Sequence, residues 1–545
     1  MMIRSKLFVS LIATLFVASS AFAATVTVGP NGTFATINAA LESLDYNDGQ
    51  ADVLVLESGV VFDEQVVPKG NAGADSTAFP RATGMSVAGF QAAVQSHSDP
   101  LTIRSQDSSN PAVITKTTST PPASFYGMFP ADPGDAFTAA LVMCGVDITI
   151  EGVELRFGNH GGYFMNGMAA DFTFQDCLFT HGTTNAQRAE DYCDWNNNYE
   201  NHSDINPLIG LDNTYVFDGC LIDGLSQENG TDLFDSSFIW FHGYGNSTPV
   251  KDEVTTMAFS NCVMRNWDDI IYQSRGNSPI GSGPLSTVVE DCFSYNMPGQ
   301  FMEFRGQQGS ALYNRNVIQT SGNSGFRVRD RDQGQIRQAD VVNNLFVSNG
   351  NGNIVQIENN GSTNGWTINV VNNTFYGYLT AINQEAGSNA ACVLNVANNI
   401  FAGTGTAVNG AGFATITATL TNNGFFNNTA DVVGAPSGGN NGAVAGDPGF
   451  AADSSGGFPA VGGPTDVNLV AAPLSGSDFT DRVGRQNFLP TSNSYIDGGS
   501  NAAYNVANYG DVDVDSLDAR VQGASIDIGA QETGGQSVVT SWDMY

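Results

Sequence analysis

Phe174-Gln-Asp-Cys177, Phe217-Asp-Gly-Cys220, Phe259-Ser-Asn-Cys262, Val289-Glu-Asp-Cys292, Tyr313-Asn-Arg-Asn316, Val341-Val-Asn-Asn344, Val370-Val-Asn-Asn373, Val396-Ala-Asn-Asn399 and Leu420-Thr-Asn-Asn423 are copies of one short pattern. An apolar residue is followed two residues on by a small or polar one, then by Cys or Asn, and another apolar residue lies close behind. Ile150-Glu-Gly-Val153 is a weaker, earlier copy. Successive copies are between 24 and 43 residues apart. The shorter intervals suit one turn of a parallel β-solenoid, and the two longest suit a turn that carries an insertion. The spacing therefore predicts an all-β chain wound as a solenoid, in which each Cys or Asn stacks on its counterpart one coil away. Amides so placed can hydrogen-bond along the axis. Cys177, Cys220, Cys262 and Cys292 hold the same place in consecutive copies, which predicts an internal ladder of free thiols; disulfides between neighbours, or from Cys144 or Cys193, are the alternative.

Working outward, the chain divides into four stretches. Residues 1–23 have the form of a signal peptide: Arg4 and Lys6 precede an apolar run from Leu7 to Ala18, and Ala21-Phe22-Ala23 is a small-x-small cleavage site. The apolar run is too short for a membrane span, and no later stretch offers about 20 apolar residues in a row. A secreted, extracellular or periplasmic product beginning near Ala24, with no membrane insertion, is expected. Residues 24–140 are the N-terminal cap and first coils. There Thr33 can cap a short helix with Phe34, Ile37, Leu41 and Leu44 on one face, covering the open end of the solenoid. Residues 141–430 are the regular coils. They include two insertions, His181 to Ser203 and Gly243 to Glu253, placed to form a wall beside the Arg-bearing coils. Residues 431–545 are irregular, rich in Gly, Pro and Ser.

Charge narrows the partners. The 545-residue chain holds 54 Asp and Glu against 20 Lys and Arg, for a formal charge of −34. So acidic a surface disfavours nucleic acid and anionic membranes. Yet Arg275, Arg305, Arg315, Arg327, Arg329, Arg331 and Arg337 crowd into adjoining coils. Arg275, Arg305 and Arg329 each lie 13 residues after the Cys or Asn of their coil. Strand alternation then predicts a flat outward strip, rung by rung: Trp240 and His242, Gln273 and Arg275, Glu303 and Arg305, Arg327 and Arg329, Gln356 and Glu358. Arg331 lies at its border.

Stacked guanidinium groups repel by about 3 kcal/mol at roughly 5 Å and an effective dielectric near 20. Either Glu303, Asp330 and Asp332 offset that locally, or an anionic polysaccharide does, since Arg forks match carboxylates and sulfates. On a polyuronate, cationic groups that neutralise the carboxylate make the neighbouring C–H acidic. A base then completes a β-elimination. His242, Tyr272 and Lys251 are candidate bases, because free Arg stays charged. A glycoside hydrolase would instead use two carboxyl groups, Glu303 with Asp330 or Asp332. A Ca²⁺ site from Asp268, Asp269 or Glu358 is compatible with the residue types but demanded by no spacing. Asp511-Val-Asp-Val-Asp515 reads as a solvated edge.

The Asn-Asn-x-Phe coils, Asp447-Pro-Gly-Phe450, Tyr495-Ile-Asp-Gly-Gly499 and Arg520-Val-Gln-Gly-Ala-Ser-Ile-Asp-Ile-Gly-Ala-Gln-Glu532 resemble secreted bacterial right-handed parallel β-helix proteins, the pectin-lyase-like superfamily. That class contains lyases, glycosidases, epimerases, adhesins and phage spikes, so the likeness implies an architecture and leaves the reaction open. Phe34-Ala-Thr-Ile-Asn-Ala-Ala-Leu41 resembles the start of pectin methylesterases, without their catalytic Gln and Asp motifs. Asp268-Asp269 and His242-Gly243 resemble fragments of polygalacturonases, without the Asn-Thr-Asp and Arg-Ile-Lys elements. Ile270-Ile-Tyr-Gln-Ser-Arg275-Gly-Asn followed by Phe301-Met-Glu-Phe-Arg305-Gly is similar to the alginate lyase and chondroitinase B family. That resemblance implies Arg275 as base and Arg305 as its partner, with Arg275 standing where the family has Lys. The expectation is a polysaccharide lyase, with a non-catalytic glycan-binding or matrix protein as the rival.

Overall fold

The computed structural model describes residues 25–44, 48–64, 66, 99–117, 141–144, 147–157, 165–168, 171–181, 191–196, 213–224, 237–242, 255–265, 269–274, 285–297, 300–305, 309–320, 324–330, 337–348, 352–359, 366–384, 392–410 and 416–450, with 490, 492, 494–495, 499–502 and 529–530. Within them the chain forms three parallel sheets, of 14, 13 and 11 strands, visited in turn by each coil. Every third strand pairs with the next of its own sheet, so the chain is a parallel β-helix, right-handed as parallel crossovers are.

The repeat is the ladder of the first sheet. Ile150, Phe174, Phe217, Phe259, Val289, Tyr313, Val341, Val370, Val396 and Leu420 are direct partners from rung to rung. All are buried. Alternation sends them inward, and identical rings stack: Phe174 on Phe217 at 5.1 Å and Phe217 on Phe259 at 4.7 Å between centroids. Phe346, Phe375, Phe401 and Phe425 form a like stack inside the second sheet. Such pairs add roughly 0.5–1.5 kcal/mol each beyond their burial.

The residue before each Cys or Asn turns the chain from the first sheet into the second. Asp176, Asn261, Asp291, Asn343, Asn372, Asn398 and Asn422 have φ between 52° and 58° there, and Gly152 and Gly219 serve the same turn. This left-handed conformation is why the third residue of the pattern is Gly, Asn or Asp. Arg315 breaks the composition but not the geometry, at φ 58°. Its guanidinium donates to Asp291 at 2.9 and 2.8 Å, one rung back.

The next residue carries the ladder. Asn316, Asn344, Asn373, Asn399 and Asn423 are fully buried. Asn373 is typical. Its Nδ2 donates to the carbonyl of Val341 at 2.8 Å and to Asn399 Oδ1 at 3.0 Å, while its own Oδ1 accepts from the Asn344 backbone N–H at 2.9 Å. Cys177, Cys220 and Cys262 continue the row as free buried thiols that donate to carbonyls of the preceding coil, and Cys292 extends it. Cys292 N–H donates to Asn316 Oδ1, where thiols give way to amides. Burial pushes the Cys220 and Cys292 thiols well above the usual thiol range.

At the N-terminal end the helix Ile37–Ser43 covers the first coil with Ile37, Ala40 and Leu41. Its cap is Thr36, not Thr33: the Thr36 hydroxyl accepts from Ala39 N–H, and the Glu64 carboxylate takes the N–H groups of Ile37 and Asn38. Thr33 lies in the preceding turn, bonded to Thr27. Toward the other end, parts of the C-terminal run lie on the outer face of the second sheet. Tyr495 is buried against Gly424, with its hydroxyl donating to the Gly446 carbonyl at 2.7 Å. Gly529 N–H donates to the Asn398 carbonyl, and Ala530 N–H to the Thr374 hydroxyl. Among the described residues no helix is long and apolar enough to cross a membrane.

Candidate functional site

The third sheet holds the candidate site. Five of its strands open on a corner where two consecutive residues are buried: Phe238-Ile239, Gly325-Phe326, Ile354-Val355, Ala381-Ile382 and Ala407-Val408. Alternation then takes over. Ile239, Ile271, Met302, Phe326, Val355, Ile382 and Val408 pair directly and form the core row. The next position along each strand makes the opposite row: Asp194, Trp240, Tyr272, Glu303, Arg327, Gln356, Asn383 and Asn409. Two residues further on, Asn196, His242 and Ser274 are in register, and so are Arg305, Arg329 and Glu358. The site is thus two parallel polar rows, about 6–7 Å apart along the strands, with rungs about 4.8 Å apart.

Four rungs of the expected strip meet in this way: Trp240 with His242, Glu303 with Arg305, Arg327 with Arg329, and Gln356 with Glu358. The fifth does not. Gln273 pairs with Phe241, on the row that also contains Ile357 and the fully buried Gln384. Tyr272 occupies the place expected for Gln273. The cause is one residue. Tyr272 follows Cys262 by ten, whereas Glu303 follows Cys292, and Arg327 follows Asn316, by eleven. A single-residue difference exchanges the two faces of a strand. Arg275 and Arg331 lie outside the described residues, as do Lys251, Asp268, Asp332 and Asp511 to Asp515.

The basic group also disperses. Arg315 belongs to the turn after the first sheet and is held by Asp291, with Glu290 at 3.6 Å. Arg337 begins a first-sheet strand, paired with Gly309 and Trp366. Arg305, Arg327 and Arg329 are what the third sheet keeps. Arg327 is half-buried and Gln356 is buried. Beyond them Asn383 and Asn409 are half-buried and joined by a 2.9 Å hydrogen bond.

Three members of the rows are not marked by the spacing of the repeat. Asp194 and Asn196 sit inside the stretch expected to be an insertion, where Asp191–Asn196 is an ordinary third-sheet strand. Its alternation, Tyr192, Asp194 and Asn196 against Cys193 and Trp195, was the available signal. Asn383 is hidden because its coil has no charged residue to draw notice. Asp330 falls on the opposite parity from Glu303, three residues further along the neighbouring strand. Asp269 and Glu358 belong to strands three rungs apart, about 14 Å along the axis. Among the described residues no group of three or more His, Cys, Asp or Glu is placed to hold a metal ion.

No family model matches this chain, and no curated relative matches. Among solved structures, pectate lyase Pel9A aligns at 12% identity over 94% of this chain and 96% of its own, with a TM-score of 0.36. An alginate lyase from Paenibacillus sp. str. FPU-7 aligns at 11% identity over 63% and 97%, at 0.29. A mannuronic acid specific polysaccharide family 6 lyase from human gut microbiota aligns at 13% over 76% and 91%, also at 0.29. Likenesses this weak assign neither a fold nor any residue of the two rows; the parallel β-helix rests on the strand pairing of this chain itself.

Proposed function

We propose that this β-helix is a secreted carbohydrate-active protein that acts on an acidic polysaccharide along the third sheet, as a lyase working by β-elimination. The observation that carries the reading is the pairing of Arg305 with Arg329 on adjoining rungs. Two guanidinium-bearing positions about 4.8 Å apart on a chain of charge −34 form a local anion site. One uronate carboxylate held between them is neutralised, and the ring hydrogen next to it becomes acidic. Trp240, Gln356, Asn383 and Asn409 hold positions on the neighbouring row, which adds residue types suited to ring faces and hydroxyls.

The test is incubation with alginate, pectate and glycosaminoglycans. Unsaturated uronides, followed by rising ultraviolet absorbance, are the expected product. Arg305→Ala should lower kcat/KM by at least about 100-fold, the scale of one removed charge-stabilising donor. Products without the double bond would indicate hydrolysis. The non-catalytic alternative, a glycan-binding or matrix protein, draws on the register of Glu303 with Arg327 and of Arg329 with Glu358, which lets the strip balance its own charge. Binding without products would favour it. Export is part of the proposal, and N-terminal sequencing of the mature protein should begin at Ala24.

A further inference from the structure

We infer that three motifs of the C-terminal run, far apart in the sequence, form one clasp that locks the last coils of the solenoid. Among the described residues the inward row of the first sheet ends at Leu420, whose partner on the next rung is the exposed Asn440. Burial in the interior holds the chain only that far, and the open end needs another closure. The outer face of the second sheet supplies it. Phe450 of Asp447-Pro-Gly-Phe450, Tyr495 of Tyr495-Ile-Asp-Gly-Gly499 and Ala530 of Ser525-Ile-Asp-Ile-Gly-Ala-Gln-Glu532 are buried there in one apolar cluster with Leu345, Val347, Ile400 and Ala402. That cluster is separate from the solenoid's interior.

Asn398 is where the run is joined to the coils. It is a turn residue at φ 56°. Its Oδ1 accepts the Ser500 N–H at 2.8 Å and its Nδ2 donates to the Ser500 carbonyl at 3.1 Å, the two-way exchange that a paired strand would make. Its backbone carbonyl accepts the Gly529 N–H at 2.8 Å, so two segments of the run meet at one residue. One rung earlier, Asn372 Nδ2 donates to the Gly529 carbonyl at 3.4 Å, and the Thr374 hydroxyl accepts the Ala530 N–H at 3.1 Å. Two positions admit only Gly. A Cβ on Gly529, at φ 106°, would meet Ile400 Cδ1 at 2.7 Å, and one on Gly424 would overlap the Tyr495 ring. The motifs are also tied to one another. The Tyr495 hydroxyl donates to the Gly446 carbonyl at 2.7 Å, and the Ser492 N–H to the Pro448 carbonyl at 3.1 Å. The clasp thus spans the coils from Asn372 to Gly446. Strands Thr380–Gln384 and Thr406–Asn409, which carry the hydrogen-bonded Asn383 and Asn409, belong to those coils. Through the clasp the C-terminal run governs the order of that end of the third sheet.

Native-state hydrogen exchange on the full chain, read by mass spectrometry, is the test. Tyr495→Phe and Gly529→Ala each weaken one motif of the run, and neither touches the Asn ladder. Tyr495→Phe removes a single hydroxyl. It should speed exchange in peptides covering residues 400–409 and 424–445 by about 2- to 10-fold, the span of one lost hydrogen bond. Gly529→Ala should speed the same peptides by at least as much, although it lies at the other end of the clasp. Peptides covering residues 213–223 and 255–265 should keep the wild-type rate in both variants, which also reports that each is folded. Variants that open separate sets, residues 400–409 for Gly529→Ala and residues 440–445 for Tyr495→Phe, overturn the clasp and leave independent contacts. Unchanged exchange at the C-terminal coils overturns it too, as does an equal rise at the control peptides. Should Gly529→Ala fail to fold, Tyr495→Phe decides alone, by whether residues 400–409 open together with residues 440–445.

Discussion

At the scale of single residues, position three of the repeat shows how backbone and charge compete. Asp176 adopts φ 52°, a conformation that Asn adopts at five later rungs. Burial raises its pKa above the ordinary carboxylate value, and neighbouring Asp218 and Glu151 push it the same way. A raised acid pKa means that the group favours the fold at low pH. That contribution is present below the unfolded value and is lost as pH climbs through the folded one. Asp176→Asn keeps the turn and removes the charge. It should stabilise the protein at pH 7 by about a few tenths of a kcal/mol, a modest gain because the group is half open to solvent and screened. Thermal melts should show the variant ahead of wild type at pH 7 and level with it near pH 3. An advantage that persists unchanged at pH 3 would refute the electrostatic account.

At the scale of the element, the Asn ladder is the strongest directional device in the molecule. Each amide closes hydrogen bonds to the coils on both sides, in a place where water cannot substitute. Asn373→Ala would leave the Val341 carbonyl and the Asn344 N–H without their amide partners. The expected cost is roughly 2–4 kcal/mol, from two buried groups left unsatisfied. Urea unfolding should place the midpoint lower without changing its slope. Asn373→Cys should recover part of the loss, because the thiols of Cys177, Cys220 and Cys262 still donate to the preceding coil's carbonyls. A Cys variant no better than Ala would show that the upstream thiols are merely tolerated there.

At the scale of the whole molecule, the proposed function fixes a length for the binding surface. From Trp240 to Asn409 the polar row crosses seven rungs, or about 29 Å. Charge is confined to its middle, while amides extend it toward the C-terminal end. Oligosaccharide affinity should therefore rise with chain length and level off near about six sugars, roughly one per rung step. The pair Asn383→Ala and Asn409→Ala should weaken long oligomers several-fold and leave dimers unaffected, as read by calorimetry. Equal weakening at every length would remove those two rungs from the site.

Features with local causes are legible in the sequence. The apolar positions of the repeat are direct partners from Ile150 to Leu420 because one interior must be filled at every turn, and Phe stacks on Phe. The choice of Gly, Asn or Asp before each ladder residue follows from a left-handed turn that other residues resist. Both causes act within one coil, so they leave a mark in every copy. The rows of the third sheet leave none, since their residue types differ at each rung. Their alignment depends on the length of the connection before each strand, and those lengths vary.

The amino-acid sequence by itself determined the solenoid, its inward rows and its turn chemistry, because these repeat with a period set by backbone sterics and core burial. Only the tertiary structure decided which side chains stand together on the outer rows. A connection one residue shorter places Tyr272 beside Glu303 and pairs Gln273 with Phe241. Parity along a strand is exact while sequence spacing is not, and one residue is enough to exchange the two faces.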